Sequence, residues 1–183
     1  MAENYNSINQ NYLEVELLED RTLFLDGEIN IESVGKLMKQ ITILQTRGKT
    51  RKRPIKLCIN SPGGSIYDML ALYDTIRTSP CPIHTYVTGT AMSAAAFILM
   101  AGHKRYAYQN SRIMIHELSL FKDGYTTFTD LRVEQEENAQ LMKVLTNILK
   151  THSKLKVIES KDLYISSTIA LSLGIIDEII KNK

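Results

Sequence analysis

The sequence has no uninterrupted apolar stretch of the roughly 20 residues that a membrane-spanning helix needs. The longest, around Ala94 to Ala101, is far shorter. Nor does it open with charged residues leading into an apolar segment, so the expectation is a cytoplasmic protein, neither exported nor membrane-bound. Cysteine is scarce: Cys58 and Cys81 form no CxxC pair and belong to no His/Cys cluster at metal-ligand spacing. That spacing argues against a disulfide scaffold or a zinc site and fits free thiols in a reducing compartment. Charge of neither sign dominates. A net charge of +2 and a pI of about 8.4 make no electrostatic case for nucleic acid. The one basic run, Arg47, Lys49, Arg51, Lys52 and Arg53, reads as a solvated loop.

What is present suits one domain: 183 residues, 44% hydrophobic and 23% charged, are enough for a real core. Residues 1–20 are expected to be flexible or strand-forming, with Tyr12 to Leu17 alternating as a strand, and residues 21–183 to form the domain. Thr22 to Leu25 reads as a strand stopped by Asp26-Gly27. A possible Asn30 cap then introduces helical spacing at Val34, Leu37, Met38, Ile41 and Leu44. Strand Ile55 to Ile59, the turn Asn60-Ser61-Pro62-Gly63-Gly64 and a helix with Ile66, Met69, Leu70, Tyr73 and Ile76 on its buried stripe follow. Strand Ile83 to Val87, the small-residue segment Gly89 to Ala96, a helix through Met100 and strands near Arg105 to Tyr108 and Arg112 to His116 continue the α/β alternation. The longest helical pattern runs from Thr127 to about His152, after which Gly174 stops a short helix at Ser167 to Leu173 and Ile175 to Ile180 forms a last strand.

In the segment Gly89-Thr90-Ala91-Met92-Ser93-Ala94-Ala95-Ala96, one hydroxyl stands among side chains too small to block it, directly before a helix with free N–H groups. This presentation suits a nucleophilic serine, although small-residue strand-to-helix turns are also common packing devices and the G-x-S-x-G pattern is absent. The Ala94 amide and the Pro62-Gly63-Gly64 turn are candidate donors to an oxyanion. A serine needs a base, usually histidine. His84 and His103 read as strand and loop surface residues, His152 sits at a helix end that favours a cation, and His116 closes an apolar strand. By composition the acid that would orient the imidazole is open among Asp68, Asp123, Asp130, Asp162 and Asp177.

Taken together, Ile59 to Gly64, Leu72-Tyr73-Asp74-Thr75-Ile76, Gly89 to Phe97, Asn110-Ser111-Arg112-Ile113-Met114-Ile115-His116 and Ala170 to Asp177 strongly resemble the Clp protease proteolytic subunit in order and spacing, over about Leu23 to Ile180. The resemblance implies a crotonase-like fold of repeated ββα units with a protruding handle helix at about 127–152. It implies a serine endopeptidase with Ser93 as nucleophile, His116 as base and Asp162 as third member. The oxyanion would be held by the backbone N–H groups of Gly64 and Ala94. It implies no cofactor in this subunit, consistent with the lack of a P-loop or G-x-G-x-x-G. The implied partners are further copies in two stacked heptameric rings, a hexameric AAA+ unfoldase that spends ATP, and unfolded polypeptide as substrate. A catalytically weak or structural ring subunit that assembles with a paralogous Clp subunit is the alternative. The chain departs from the family in three places. Residues 1–20 hold no counterpart of the axial pore segment, and Lys56 and Cys58 stand where aromatic residues wall the unfoldase docking pocket. Leu118 replaces a proline two residues beyond His116, and the stretch from Ser119 to Thr129 runs about two residues long.

Overall fold

The computed structural model describes residues 13–46, 53–118, 127–158 and 161–181. The basic run lies outside them apart from Arg53, as does most of the long stretch after Leu118. The chain begins with a helix, α1, over residues 13–19, and continues as β1 (Thr22–Ile29), α2 (Ile31–Thr46), β2 (Ile55–Gly64), α3 (Ile66–Arg77), β3 (Ile83–Met92) and α4 (Ala94–Ala101). Then come β4 (Lys104–Tyr108), β5 (Arg112–Ile115), α5 (Phe128–His152), β6 (Leu163–Ser166), α6 (Ser167–Ser172) and β7 (Glu178–Ile180). Strands β1-β2-β3-β4-β7 lie parallel in that order. Beyond the β4 pairing, the far end of β3 also pairs with β5 in parallel, and β5 pairs with β6 antiparallel. The strand alternation of the sequence is thus a mixed α/β sheet, parallel except where β6 joins it.

Parallel strands are covered on both faces, which is why their inward positions are so uniformly apolar. Leu23, Leu25, Leu57, Ile59, Ile83 and Val87 are buried together with Leu37 and Ile41 of α2 and Met69, Leu72 and Ile76 of α3. Every residue of α4 is buried, so this short helix is the pivot of the core. Asn30 caps α2 as expected, its Oδ1 accepting from the N–H groups of Glu32 and Ser33.

Three expectations change. The alternation across Tyr12 to Leu17 gives a helix from residue 13 on, and Tyr12 is outside the described residues. Leu13 and Val15 are exposed while Leu18 packs on the core, so the apolar residues do not form the one-sided stripe a strand would bury. Asp26-Gly27 does not end β1, which carries a β-bulge there and reaches Ile29. The last strand is only Glu178–Ile180, because Ile175 and Ile176 are core residues in the approach to it.

Helix α5 opens on a capping box between Thr127 and Asp130. Its 25 residues span about 37 Å at 1.5 Å per residue. Leu141, Leu145, Ile148 and Leu149 anchor its second half, whereas its first half is exposed almost throughout. At its foot, Arg105 grips the Asp177 carboxylate through Nε and Nη2 and the His152 carbonyl through Nη1. Among the described residues, no helix is long and apolar enough to cross a membrane.

Candidate active site

Ser93 stands alone between β3 and α4, with φ 53° and ψ −124°. A side chain at positive φ is disfavoured by steric crowding, and such a residue costs of order 1–3 kcal/mol unless its surroundings hold it. Here they do. The strand enters from one side, the fully buried α4 leaves on the other, and the Ser93 N–H donates to the Met114 carbonyl at 2.8 Å. The sharp turn lifts the hydroxyl out of both elements. The parallel β3–β5 register, which pairs Met92 with Met114, brings the end of β5 alongside.

His116 follows β5 directly, and its Nε2 lies 2.8 Å from Ser93 Oγ. The pair is half-buried. This is hydrogen-bond geometry in which a neutral imidazole accepts the hydroxyl proton. The other three histidines are held elsewhere. His84 packs against Tyr106, the His103 ring accepts from Ile83 N–H, and His152 Nε2 meets Tyr73 Oη at 2.8 Å. The helix end does not make His152 a cation. Burial, then the nearby Arg77 and Arg105 charges, pull its pKa from 6.5 to about 4 against the attraction of Asp177.

The glycine turn expected after Ile59 is the twisted end of β2, still paired with β1 at Glu28↔Gly63 and Ile29↔Gly64. Gly63 and Gly64 have φ of 103° and 147°. A Cβ on Gly63 would fall 2.7 Å from Met92 O and 2.8 Å from Ser93 Cβ, and one on Gly64 would collide with the Ile29 backbone. Only glycines let this backbone lie so close against the serine. Gly64 and Ala94 line one cavity of about 450 Å³ with Ser93 and His116. Its other walls are Pro62, Ser65, Ile66, Phe97, Met114, Glu117, Leu118 and Leu145. The cavity joins a hydroxyl, an imidazole and two backbone segments that are candidate oxyanion donors, in a mostly apolar setting that strengthens electrostatic interactions.

The antiparallel β5–β6 register ends at Ile115↔Leu163, the residues directly before His116 and directly after Asp162. Asp162 is exposed. Of the other aspartates, Asp68 sits in the first turn of α3, Asp130 caps α5, and Asp123 is outside the described residues. Burial would raise the Asp177 pKa, but its bonds to Arg105 outweigh that and hold it low.

Sequence patterns did not single out Glu117 or Leu145 as parts of this cavity. Leu145 reads as an ordinary core position of a long helix, and only the return of α5 across α4 brings it here. On one face of the sheet, Lys56 is exposed 3.8 Å from Asp20, and Cys58 is half-buried with its thiol pKa pushed up by burial. Beside Cys58 in the register are Tyr86 and Tyr106, stacked with centroids 4.6 Å apart. This face therefore keeps aromatic residues, supplied by β3 and β4 where β2 offers a lysine and a thiol.

The family model for Clp protease matches residues 6–183. The ATP-dependent Clp protease proteolytic subunit 1 of Tropheryma whipplei (strain Twist) is 38% identical over 174 residues, covering 91% of this chain and 83% of that protein. The proteolytic subunit of Deinococcus radiodurans is 36% identical over 171 residues, 90% of this chain and 82% of its own. Proteolytic subunit 2 of Corynebacterium efficiens is 34% identical over 171 residues, 90% of this chain and 84% of its own. With a strand-to-helix serine facing a histidine inside an α/β sheet, and with matches of this extent, the chain belongs to the Clp protease family of serine peptidases.

Proposed function

We propose that this Clp-type subunit is an endopeptidase that cleaves unfolded polypeptides through Ser93, His116 and Asp162. The observation that carries this reading is the 2.8 Å approach of His116 Nε2 to the strained Ser93 hydroxyl. In the reaction Ser93 Oγ attacks the scissile carbonyl as His116 takes its proton. The Gly64 and Ala94 N–H groups receive the developing oxyanion, a term worth about 3–4 kcal/mol per donor in comparable sites. His116 then protonates the leaving amine, and water, activated by the same imidazole, releases the acyl group. Asp162 orients the imidazole and stabilises its charged form. The subunit works in stacked heptameric rings joined through α5, in the cytoplasm, and receives folded proteins from an AAA+ unfoldase that supplies the ATP chemistry.

The test is labelling of the purified protein by a fluorophosphonate, read by intact mass beside native mass. Stoichiometric labelling of a ring-sized species, lost in Ser93→Ala, is expected. A second reading, a structural ring subunit assembling with a paralogous Clp subunit, draws on the exposure of Asp162 and on Lys56 and Cys58 in β2. A ring-sized assembly without labelling would favour it.

A further inference from the structure

The cavity beside Ser93 has an uneven chemistry. Ile66, Phe97, Met114 and Leu145 make it apolar, and the one lining side chain with a fixed charge is Glu117, the residue directly after His116. Glu117 is exposed, and no ion pair joins it to any described residue. A carboxylate at the rim of an apolar cleft, without a cation of its own among the described residues, favours a ligand that brings one. Lysine and arginine suit such a place because their methylene stems lie along apolar surface while the charged head reaches outward.

Mechanism fixes the side of the scissile bond. The base that takes the serine proton returns it to the leaving amine, so the leaving group departs beside His116, and Glu117 flanks that side. We infer that Glu117 is a specificity-determining residue that favours substrates with lysine or arginine as the first residue after the scissile bond. The inference rests on the peptidase reading above. Because Glu117 is exposed, the gain is modest, about three- to fivefold in kcat/KM at low salt, and it falls as salt screens the pair.

The experiment uses the assembled protein and internally quenched, N-acetylated peptides that differ only in lysine or norleucine at that position, with cleavage sites read by mass spectrometry. Norleucine keeps the stem and removes the charge. The lysine-to-norleucine ratio of kcat/KM should exceed one by about three- to fivefold at low ionic strength, shrink at high salt, collapse towards one in Glu117→Gln and invert in Glu117→Lys. Because a ratio within one protein is compared, a general loss of activity in a variant does not imitate the result. A native ratio of one, or a ratio unmoved by both substitutions, overturns the inference while leaving the peptidase reading intact. Absence of cleavage of either peptide together with absence of fluorophosphonate labelling overturns the peptidase reading and this inference with it.

Discussion

At the scale of single residues, Ser93 combines a hydroxyl 2.8 Å from an imidazole with an unfavourable backbone. Its φ of 53° belongs to glycine, and the fold keeps a hydroxyl-bearing residue there. Ser93→Ala and Ser93→Gly both delete the hydroxyl, but only glycine removes the strain. Ser93→Gly should therefore be more stable than Ser93→Ala by about 1–2 kcal/mol in denaturant unfolding, with neither labelled by a fluorophosphonate. Equal stability would show that the turn is not strained. The converse holds at Gly64, where a Cβ would collide with the Ile29 backbone at φ 147°. Gly64→Ala should cost about 2–4 kcal/mol and suppress labelling of Ser93, read by a melting curve beside intact mass. The residue types of this site were legible in the sequence, since a serine among alanines before a helix and a histidine at a strand end are visible without coordinates. Choosing His116 over His84, His103 and His152 was not, because it depends on β5 lying beside the far end of β3, a long-range pairing that no local pattern encodes.

At the scale of elements, helices were easier to read than strand ends. The periodicity of α2 and α5 and the Thr127 start of α5 stand in the sequence. The extension of β2 through Pro62-Gly63-Gly64 and of β3 through Gly89 does not, because those residues have low strand propensity and are held by their neighbours. The foot of α5 shows a related effect. Helix dipole reasoning favours a cation at His152, yet burial and two arginines keep the ring neutral, with a pKa of about 4. The folded state thus resists a proton that the unfolded chain accepts near pH 6.5, so this contribution to stability is whole above about pH 6.5 and is lost as the pH falls towards 4. The ring is only half-buried, so the loss between pH 7 and pH 5 is about 1 kcal/mol after solvent screening. Urea unfolding of the native chain and of His152→Gln at both pH values checks this, because other groups contribute equally to each. The native chain should lose more on acidification than the variant.

At the scale of the whole molecule, the described chain leaves apolar surface uncovered on its longest element. Phe128 is 94% exposed, and Val133 and Leu131 lie near it on the first turns of α5. Exposed apolar side chains grouped in this way mark an interface. If two rings meet through α5, Phe128→Asp should halve the native mass while leaving each subunit folded, since an acidic residue in the first turn suits the helix dipole. An unchanged mass would rule out Phe128 as part of a contact between rings. The first half of α5 has another consequence. Its turns rest on almost no tertiary packing, and an isolated helix of about 12–15 residues is marginal in water. Its helix–coil equilibrium should then be set by mass action between copies. On serial dilution the mean residue ellipticity at 222 nm should weaken as the particles come apart, and amide hydrogens along that arm should exchange sooner, so that secondary structure itself becomes a gauge of protein concentration.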